Sequence, residues 1–70
     1  MYLRADTGVR MRVGRRTVFD IVLDRDAELR MRSPRGNLKH VAYYPNKDNA
    51  EYALAEIQAA INRGDKAFYI

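Results

Sequence analysis

Residues 48–70 read DNAEYALAEIQAAINRGDKAFYI and form the only stretch long and periodic enough to predict a helix. Apolar side chains recur there at steps of three and four residues, which places them on one side of a helix. They are Ala50, Ala53, Leu54, Ile57, Ala60 and Ile61. Asp48 and Glu51 have the spacing of a capping box, and Gly64 predicts the end of the helix. Residues 66–70 then favour a closing strand.

Ahead of the helix, the sequence predicts short strands separated by turns. Residues 9–13 (VRMRV) and 29–32 (LRMR) alternate apolar side chains with arginines, as expected of strands with one buried face. Further strands are predicted at residues 2–5, 17–23 and 40–44. The chain is therefore expected to be a single α+β domain over residues 1–70. In it, a small antiparallel meander sheet carries the C-terminal helix on one face, and a final short strand follows.

The apolar phase of the strands defines the predicted core. It consists of Leu3, Val9, Met11, Val13, Phe19, Ile21, Leu23, Leu29, Met31, Val41 and Tyr43, under Leu54, Ile57 and Ile61 of the helix. A chain of 70 residues buries only about 60% of its unfolded surface, so association between copies would add stability. Tyr52, Ala55 and Ala59 form the predicted interface of such a homo-oligomer. Helix propensity alone is the alternative explanation for these alanines.

Composition excludes several classes of site. The chain has no cysteine and one histidine, so disulfides, zinc–thiolate sites and multi-histidine metal clusters are excluded. No apolar run approaches the roughly 18 residues of a membrane span, and residues 1–8 lack the apolar core of a signal peptide. We therefore expect a cytoplasmic protein with no cofactor, no metal and no membrane partner.

The residue patterns of catalytic sites are also missing. The candidate nucleophiles are the hydroxyl side chains of Thr7, Thr17 and Ser33, and none of them lies in the sequence motif of a catalytic elbow. Asp24 and Asp26 flank Arg25 in a polar turn, and they lack the apolar neighbours that a pair of catalytic carboxylates would have. We interpret His40 as a solvent-facing strand residue. The sequence thus predicts a protein that is not an enzyme.

Arginine is the main functional signal, because ten of the 13 cations are arginine and the net charge is +4. Arg10 and Arg12 share one face of a strand, and Arg30 and Arg32 share one face of another. If both strands lie in one sheet, these four guanidinium groups form an open basic face. The predicted anion-binding residues are Arg10, Arg12, Arg30, Arg32, Arg35 and Lys39. Two alternatives stay open: neutralisation by Asp20 and Glu28 across strands, and protection of sheet edges against aggregation.

One set of spacings resembles small proteins of phages and Gram-positive bacteria. The residues that carry it are Tyr44, Ala50, Ala53, Leu54, Glu56, Ile57, Ile61, Gly64, Phe68, Tyr69 and Ile70, with the opening Met1-Tyr2-Leu3. Those proteins have an N-terminal hairpin, further strands, a helix similar to ERAKEVLEEI and an ending similar to GKKVYxM. The resemblance implies this fold and an origin in a phage or mobile element. Phage inhibitors that sequester a host protein or a nucleotide signal are commonly this small.

These patterns together predict a small non-enzymatic binding module that holds an anionic, nucleotide-type ligand on an arginine-rich sheet face. In the context of the resemblance, it would be a phage-encoded antagonist of a host system. Two alternatives belong to other classes: a protein–protein adaptor or inhibitor that binds an acidic protein surface, and an accessory protein that binds nucleic acid.

Overall fold

The computed structural model describes residues 1–70 and contains six strands and one helix. The strands are β1 (Tyr2–Arg4), β2 (Arg10–Arg12), β3 (Val18–Leu23), β4 (Ala27–Arg32), β5 (Leu38–Tyr44) and β6 (Ala67–Tyr69), and the helix α1 (Lys47–Arg63) lies between β5 and β6. This arrangement confirms the predicted α+β class, the C-terminal helix packed on a sheet and the final short strand. The helix is neither long nor apolar enough to cross a membrane.

The strands form two three-stranded sheets instead of one meander. The first sheet has the order β2-β1-β6, with β1 antiparallel to β2 and parallel to β6. The second sheet is an antiparallel meander in the order β3-β4-β5, and α1 packs across its three strands. The chain leaves the first sheet after β2, where Gly14 and Thr17 close a turn by two hydrogen bonds. The free edge of β1 is then taken by β6.

The ends of α1 have clear local causes. Asn46 has an extended backbone and its Oδ1 accepts a hydrogen bond from the Asn49 N–H at 2.9 Å, so it is the N-cap. The predicted capping box at Asp48 and Glu51 is therefore wrong by two residues, and Asp48 instead lies in the first turn, where the helix dipole favours a carboxylate. Gly64 ends the helix with a φ of 80°, a conformation that glycine adopts without steric cost.

The core joins both sheets to the helix. Its largest fully buried side chains are Leu3 of the first sheet, Leu29 and Val41 of the second sheet, and Ile57 of the helix. Small residues that were not predicted, Ala5, Ala27 and Ala42, are also buried. The predicted core residues Phe19, Ile21, Leu54 and Ile61 are partly buried and pack against this cluster.

Three residues of the predicted core are exposed instead. Val9, Leu23 and Tyr43 each expose 58% of their surface. Val9 precedes β2 at the tip of the first hairpin, where its carbonyl accepts the Ala5 N–H at 2.8 Å. Leu23 lies at the end of β3, next to the polar turn at residues 24–26. Tyr43 is exposed for a different reason, a β-bulge.

The bulge changes which residues of β5 face the core. Leu29 pairs with Ala42, but Arg30 pairs with His40, so Val41 is the extra residue. Val41 and Ala42 are consequently both buried, and the alternation is shifted by one position beyond them. Tyr43 then points outwards, while Tyr44 packs against the core.

Candidate functional site

The arginines predicted to share one open face lie in two different sheets. Arg10 and Arg12 belong to β2, an edge strand of the first sheet. Arg30 and Arg32 belong to β4, the central strand of the second sheet. The expectation of a four-arginine face on one sheet is therefore wrong, because it assumed that the two strands pair within a single meander.

The two arginines of the second sheet are held by carboxylates. Arg30 donates from Nε to Glu28 Oε1 at 2.7 Å, and its Nη2 lies 2.6 Å from the same oxygen. Arg32 Nη2 lies 3.0 Å from Asp20 Oδ2 of the neighbouring strand. These are the two carboxylates that the neutralisation alternative named, although only Asp20 pairs across strands and Glu28 pairs along its own strand.

A basic cleft of about 680 Å³ opens between β2 and the end of the second sheet where β3 and β5 begin and β4 ends. Five cationic residues line it: Arg10, Arg12, Arg16, Arg32 and Lys39. The other lining residues are Met11, Gly14, Thr17, Val18, Met31, Ser33 and Pro34. The cleft thus brings together four of the six predicted anion-binding residues, whereas Arg30 and Arg35 do not line it.

The charge of the basic cleft is almost uncompensated. No carboxylate lines it. Arg32 is the only one of its five cations with an ion-pair partner. Val18, which is 52% exposed, supplies an apolar surface beside these charges, whereas Met11 and Met31 are buried at 5% exposure each. Its volume lies in the range of about 300–1,000 Å³ that is typical of small-molecule sites.

A second polar cluster links the two sheets through His40. Its Nδ1 lies 2.6 Å from Glu28 Oε2, and its Nε2 lies 2.7 Å from Asp6 Oδ1. Asp6 also accepts the Tyr43 N–H at 3.1 Å through Oδ2, and it donates its own N–H to the Val41 carbonyl at 2.9 Å. Because carboxylates can only accept when ionised, both ring nitrogens of His40 must donate, which requires the protonated imidazolium.

The pKa shifts in this cluster follow from the same contacts. For His40, burial disfavours the charged form, but the hydrogen bonds to Glu28 and Asp6 outweigh it and raise the pKa above its ordinary value of 6.5. For Glu28, the hydrogen bond from Arg30 outweighs burial and, with the His40 contact, lowers the pKa below its ordinary value of 4.5. The cluster is therefore a chain of paired charges, Asp6–His40–Glu28–Arg30.

Sequence patterns did not identify this charge chain. The interpretation of His40 as simply solvent-facing needs correction, since its side chain is only 24% exposed and has a carboxylate on each nitrogen. The spacing of 34 residues between Asp6 and His40 carries no local signal that they meet. Only the proximity of Glu28 and Arg30 follows from the sequence pattern, because residues two positions apart on one strand share a face.

Two of the three candidate nucleophiles have structural partners. Thr17 Oγ1 accepts the Gly14 N–H at 2.8 Å, and Ser33 Oγ accepts the Asn37 N–H at 3.1 Å, so both hydroxyls stabilise turns. No group of three or more histidine, aspartate and glutamate side chains is arranged to hold a metal ion.

The face of α1 predicted as an interface between copies is solvent-exposed in the single chain. Tyr52 exposes 68% of its surface, and Ala55 and Ala59 are exposed as well. Exposure is compatible with an interface and with an ordinary solvated helix face, so the homo-oligomer stays a prediction.

Comparisons with models of known families, with curated proteins and with solved structures find no significant match to this chain. Any function assigned to it rests on its own residues and their geometry.

Proposed function

We propose that this chain is a non-enzymatic binding module that holds a phosphate-bearing, nucleotide-type ligand in the basic cleft. The observation that carries the proposal is a concave site with five lining cations and no lining carboxylate. Like charges gathered without counter-charges repel one another, so an anionic ligand that enters the cleft relieves repulsion as well as making contacts.

The residue types favour phosphate among anions. Three of the four cations without an ion-pair partner are arginines, Arg10, Arg12 and Arg16, and a guanidinium group can donate two parallel hydrogen bonds to phosphate oxygens. Each charge-assisted hydrogen bond contributes about 1.5–3 kcal/mol before solvent screening. Val18, which lines the cleft and is 52% exposed, offers an apolar contact for an aromatic ring such as a base.

Binding is favoured over catalysis by the state of the only histidine. Both nitrogens of His40 are engaged by carboxylates, so neither is free to take a proton from a substrate. His40 is also not among the residues that line the basic cleft. We propose that the biological role of the protein is that of a phage-encoded antagonist that sequesters a nucleotide signal.

Isothermal titration calorimetry at low salt tests it, with ATP, a cyclic dinucleotide and inorganic tripolyphosphate as ligands. We expect ATP to bind more tightly than tripolyphosphate, because only ATP has a base that can contact the exposed Val18 side chain. The double variant Arg16→Ala/Lys39→Ala should weaken ATP binding by at least about tenfold, which is about 1.4 kcal/mol. Arg25→Ala/Lys47→Ala removes the same charge outside the cleft and should leave affinity within about threefold.

Equal losses in the two double variants would mean that only net charge matters and would contradict a cleft site. No binding of any of the three ligands would favour the adaptor alternative. In that case, an acidic protein surface is the expected partner, and affinity capture should recover an acidic protein that Arg16→Ala/Lys39→Ala fails to retain.

A further inference from the structure

The exposed face of the first sheet interleaves tyrosines with arginines. In β1 and β2, Tyr2 pairs with Arg12 and Arg4 pairs with Arg10. On the other side of β1, Arg4 pairs with Tyr69 of β6. All five side chains are exposed, while the alternate residues of β1 and β2 are buried in the core. We call these five residues the tyrosine–arginine face.

Contacts on this face hold the tyrosine rings next to positive charge. The Arg4 guanidinium carbon lies 4.9 Å from the centre of the Tyr69 ring, and that of Arg12 lies 5.7 Å from the centre of the Tyr2 ring. Tyr2 and Tyr69 expose 53% and 62% of their surfaces. The rings therefore present accessible apolar area between cations.

The arginines of this face have no carboxylate partner. None of Arg4, Arg10 and Arg12 takes part in an ion pair. Arg4 and Arg10 also lie directly opposite each other on neighbouring strands, and like charges in that position destabilise a sheet. A polyanion that covers the face would remove this repulsion.

We infer that the tyrosine–arginine face binds single-stranded nucleic acid, with bases stacked on Tyr2 and Tyr69 and phosphates held by Arg4, Arg10 and Arg12. Tyrosine rings accept any base, because every base has a π-face, and a cationic path that follows the backbone completes such a site. A duplex hides its base faces within the stack, and an acidic peptide has a ring only where it carries an aromatic residue, whereas every nucleotide of a single strand pairs a ring with a phosphate. Single strands therefore fit this face best.

The tyrosine–arginine face shares two residues with the proposed nucleotide site, because Arg10 and Arg12 also line the basic cleft. A strand on the face can thus place one nucleotide in the cleft. Tyr2 and Tyr69 do not line the cleft, so the two sites can be tested separately.

Fluorescence anisotropy with a labelled deoxythymidine dodecamer tests the face, and calorimetry with ATP tests the cleft on the same variants. Tyr2→Ala/Tyr69→Ala should lose at least about tenfold in dodecamer affinity, since each stacked base contributes strongly. Tyr2→Phe/Tyr69→Phe keeps both rings and should stay within about twofold. Tyr52→Ala removes an exposed tyrosine from the helix and should also leave the affinity unchanged.

The logarithm of the binding constant should fall with the logarithm of salt concentration with a slope of about −2 for three arginine–phosphate contacts on a single strand.

Circular dichroism and melting curves show whether each variant is folded. If the alanine variant is unfolded, Tyr2→Leu/Tyr69→Leu keeps apolar volume without flat rings and should show the same loss. Unchanged dodecamer affinity in the folded alanine or leucine variant overturns the inference, as does a duplex dodecamer that binds as tightly as the single strand. ATP binding without dodecamer binding overturns this inference and leaves the proposed nucleotide site standing. The opposite result is dodecamer binding that depends on the tyrosines, does not depend on Arg16 and Lys39, and occurs without ATP binding. That result supports the inference and rejects the nucleotide site.

Discussion

The tripeptide Arg-Met-Arg occurs twice, at residues 10–12 in the first sheet and at residues 30–32 in the second, and the two copies have opposite surroundings. In both, the methionine is 5% exposed and belongs to the core. In the second sheet, Glu28 and Asp20 pair with the arginines. In the first sheet, the cross-strand neighbours of the arginines are Tyr2 and Arg4.

The difference shows that the neighbours of an arginine, and not the local pattern, decide what it does. A guanidinium group with a carboxylate at 2.6 Å is part of the structure. One with only tyrosines and other arginines around it remains available to a ligand. Substitutions in the scaffold that both sheets share, and then in each sheet, test this contrast.

Truncation of Ile57 should destabilise both sheets at once. The residue is fully buried in the cluster that joins Leu3 to Leu29. Ile57→Ala should lower the free energy of unfolding by about 2–5 kcal/mol, through lost burial and a remaining cavity. Urea denaturation measures this, with Ala55→Ser on the exposed side of the helix as the control. A loss below about 1 kcal/mol would mean that the sheets do not depend on this contact.

Neutralisation of Glu28 should weaken the charge chain at its most buried carboxylate. Its carboxylate has hydrogen bonds to Arg30 and His40 and a side chain that is 10% exposed. Glu28→Gln should cost about 1–3 kcal/mol, because charge-assisted bonds are lost at a buried position. Asp20→Asn, at a 34% exposed side chain, should cost less than about 1 kcal/mol. Thermal melting of the two variants at neutral pH compares them, and equal shifts would contradict the difference in burial.

The charge chain should make the stability of the protein fall at both acidic and alkaline pH. The pKa of His40 is raised above 6.5, so its contribution is complete below pH 6.5 and is lost as the pH rises through the raised value. The pKa of Glu28 is lowered below 4.5, so its contribution is complete above pH 4.5 and is lost as the pH falls through the lowered value. The melting temperature should therefore be higher at about pH 6 than at about pH 8.5.

His40→Gln tests the alkaline side of this profile. The groups that face His40 are Glu28 and Asp6, with Arg30 beyond Glu28 and the Tyr43 ring 4.5 Å away between centroids. Without the imidazolium, the difference in melting temperature between the two pH values should largely disappear. A variant that keeps the full difference would show that other groups cause it.

The smallest expected effect is that of truncating Arg10, and Arg30, at the same position of the other tripeptide, provides the comparison. Arg30→Ala should lower the melting temperature, because Glu28 loses its guanidinium partner. Arg10→Ala should change it by no more than about 3 °C, and upwards at low salt, because repulsion with Arg4 is removed. Differential scanning calorimetry of the two variants resolves the signs. A loss in both would mean that Arg10 has a structural partner in solution.

Local sequence patterns were sufficient for the elements and for much of the core. The helix was predicted from the spacing around Ile57 and its end from Gly64, because both depend on neighbours within a few residues. Strand alternation correctly placed Met11 and Met31 inside. It failed at Tyr43, because the bulge at Val41 shifts the alternation and has no sequence signature here.

Pairing between distant segments could not be predicted. The sequence does not reveal that β6 lies beside β1, so Tyr69 had no visible relation to Arg4. The same limitation applies to Asp6 and His40. The basic cleft was only partly anticipated, since Arg10, Arg12, Arg32 and Lys39 were predicted as ligand residues, whereas their meeting point depends on how the two sheets are arranged.

The parallel pairing of β1 with β6 has a consequence for the order of folding. Leu3 pairs with Phe68, so almost the whole sequence must be collapsed before the first sheet is complete. The second sheet consists of consecutive strands and needs only short loop closures, which cost less chain entropy. We therefore expect the second sheet to form first, which pulsed hydrogen exchange during refolding would detect as earlier protection of β3–β5 than of β1. The tyrosine–arginine face, which needs Tyr69 beside Arg4, would then exist only in molecules that have finished folding, and partly folded chains would not compete for the nucleic acid that we propose it binds.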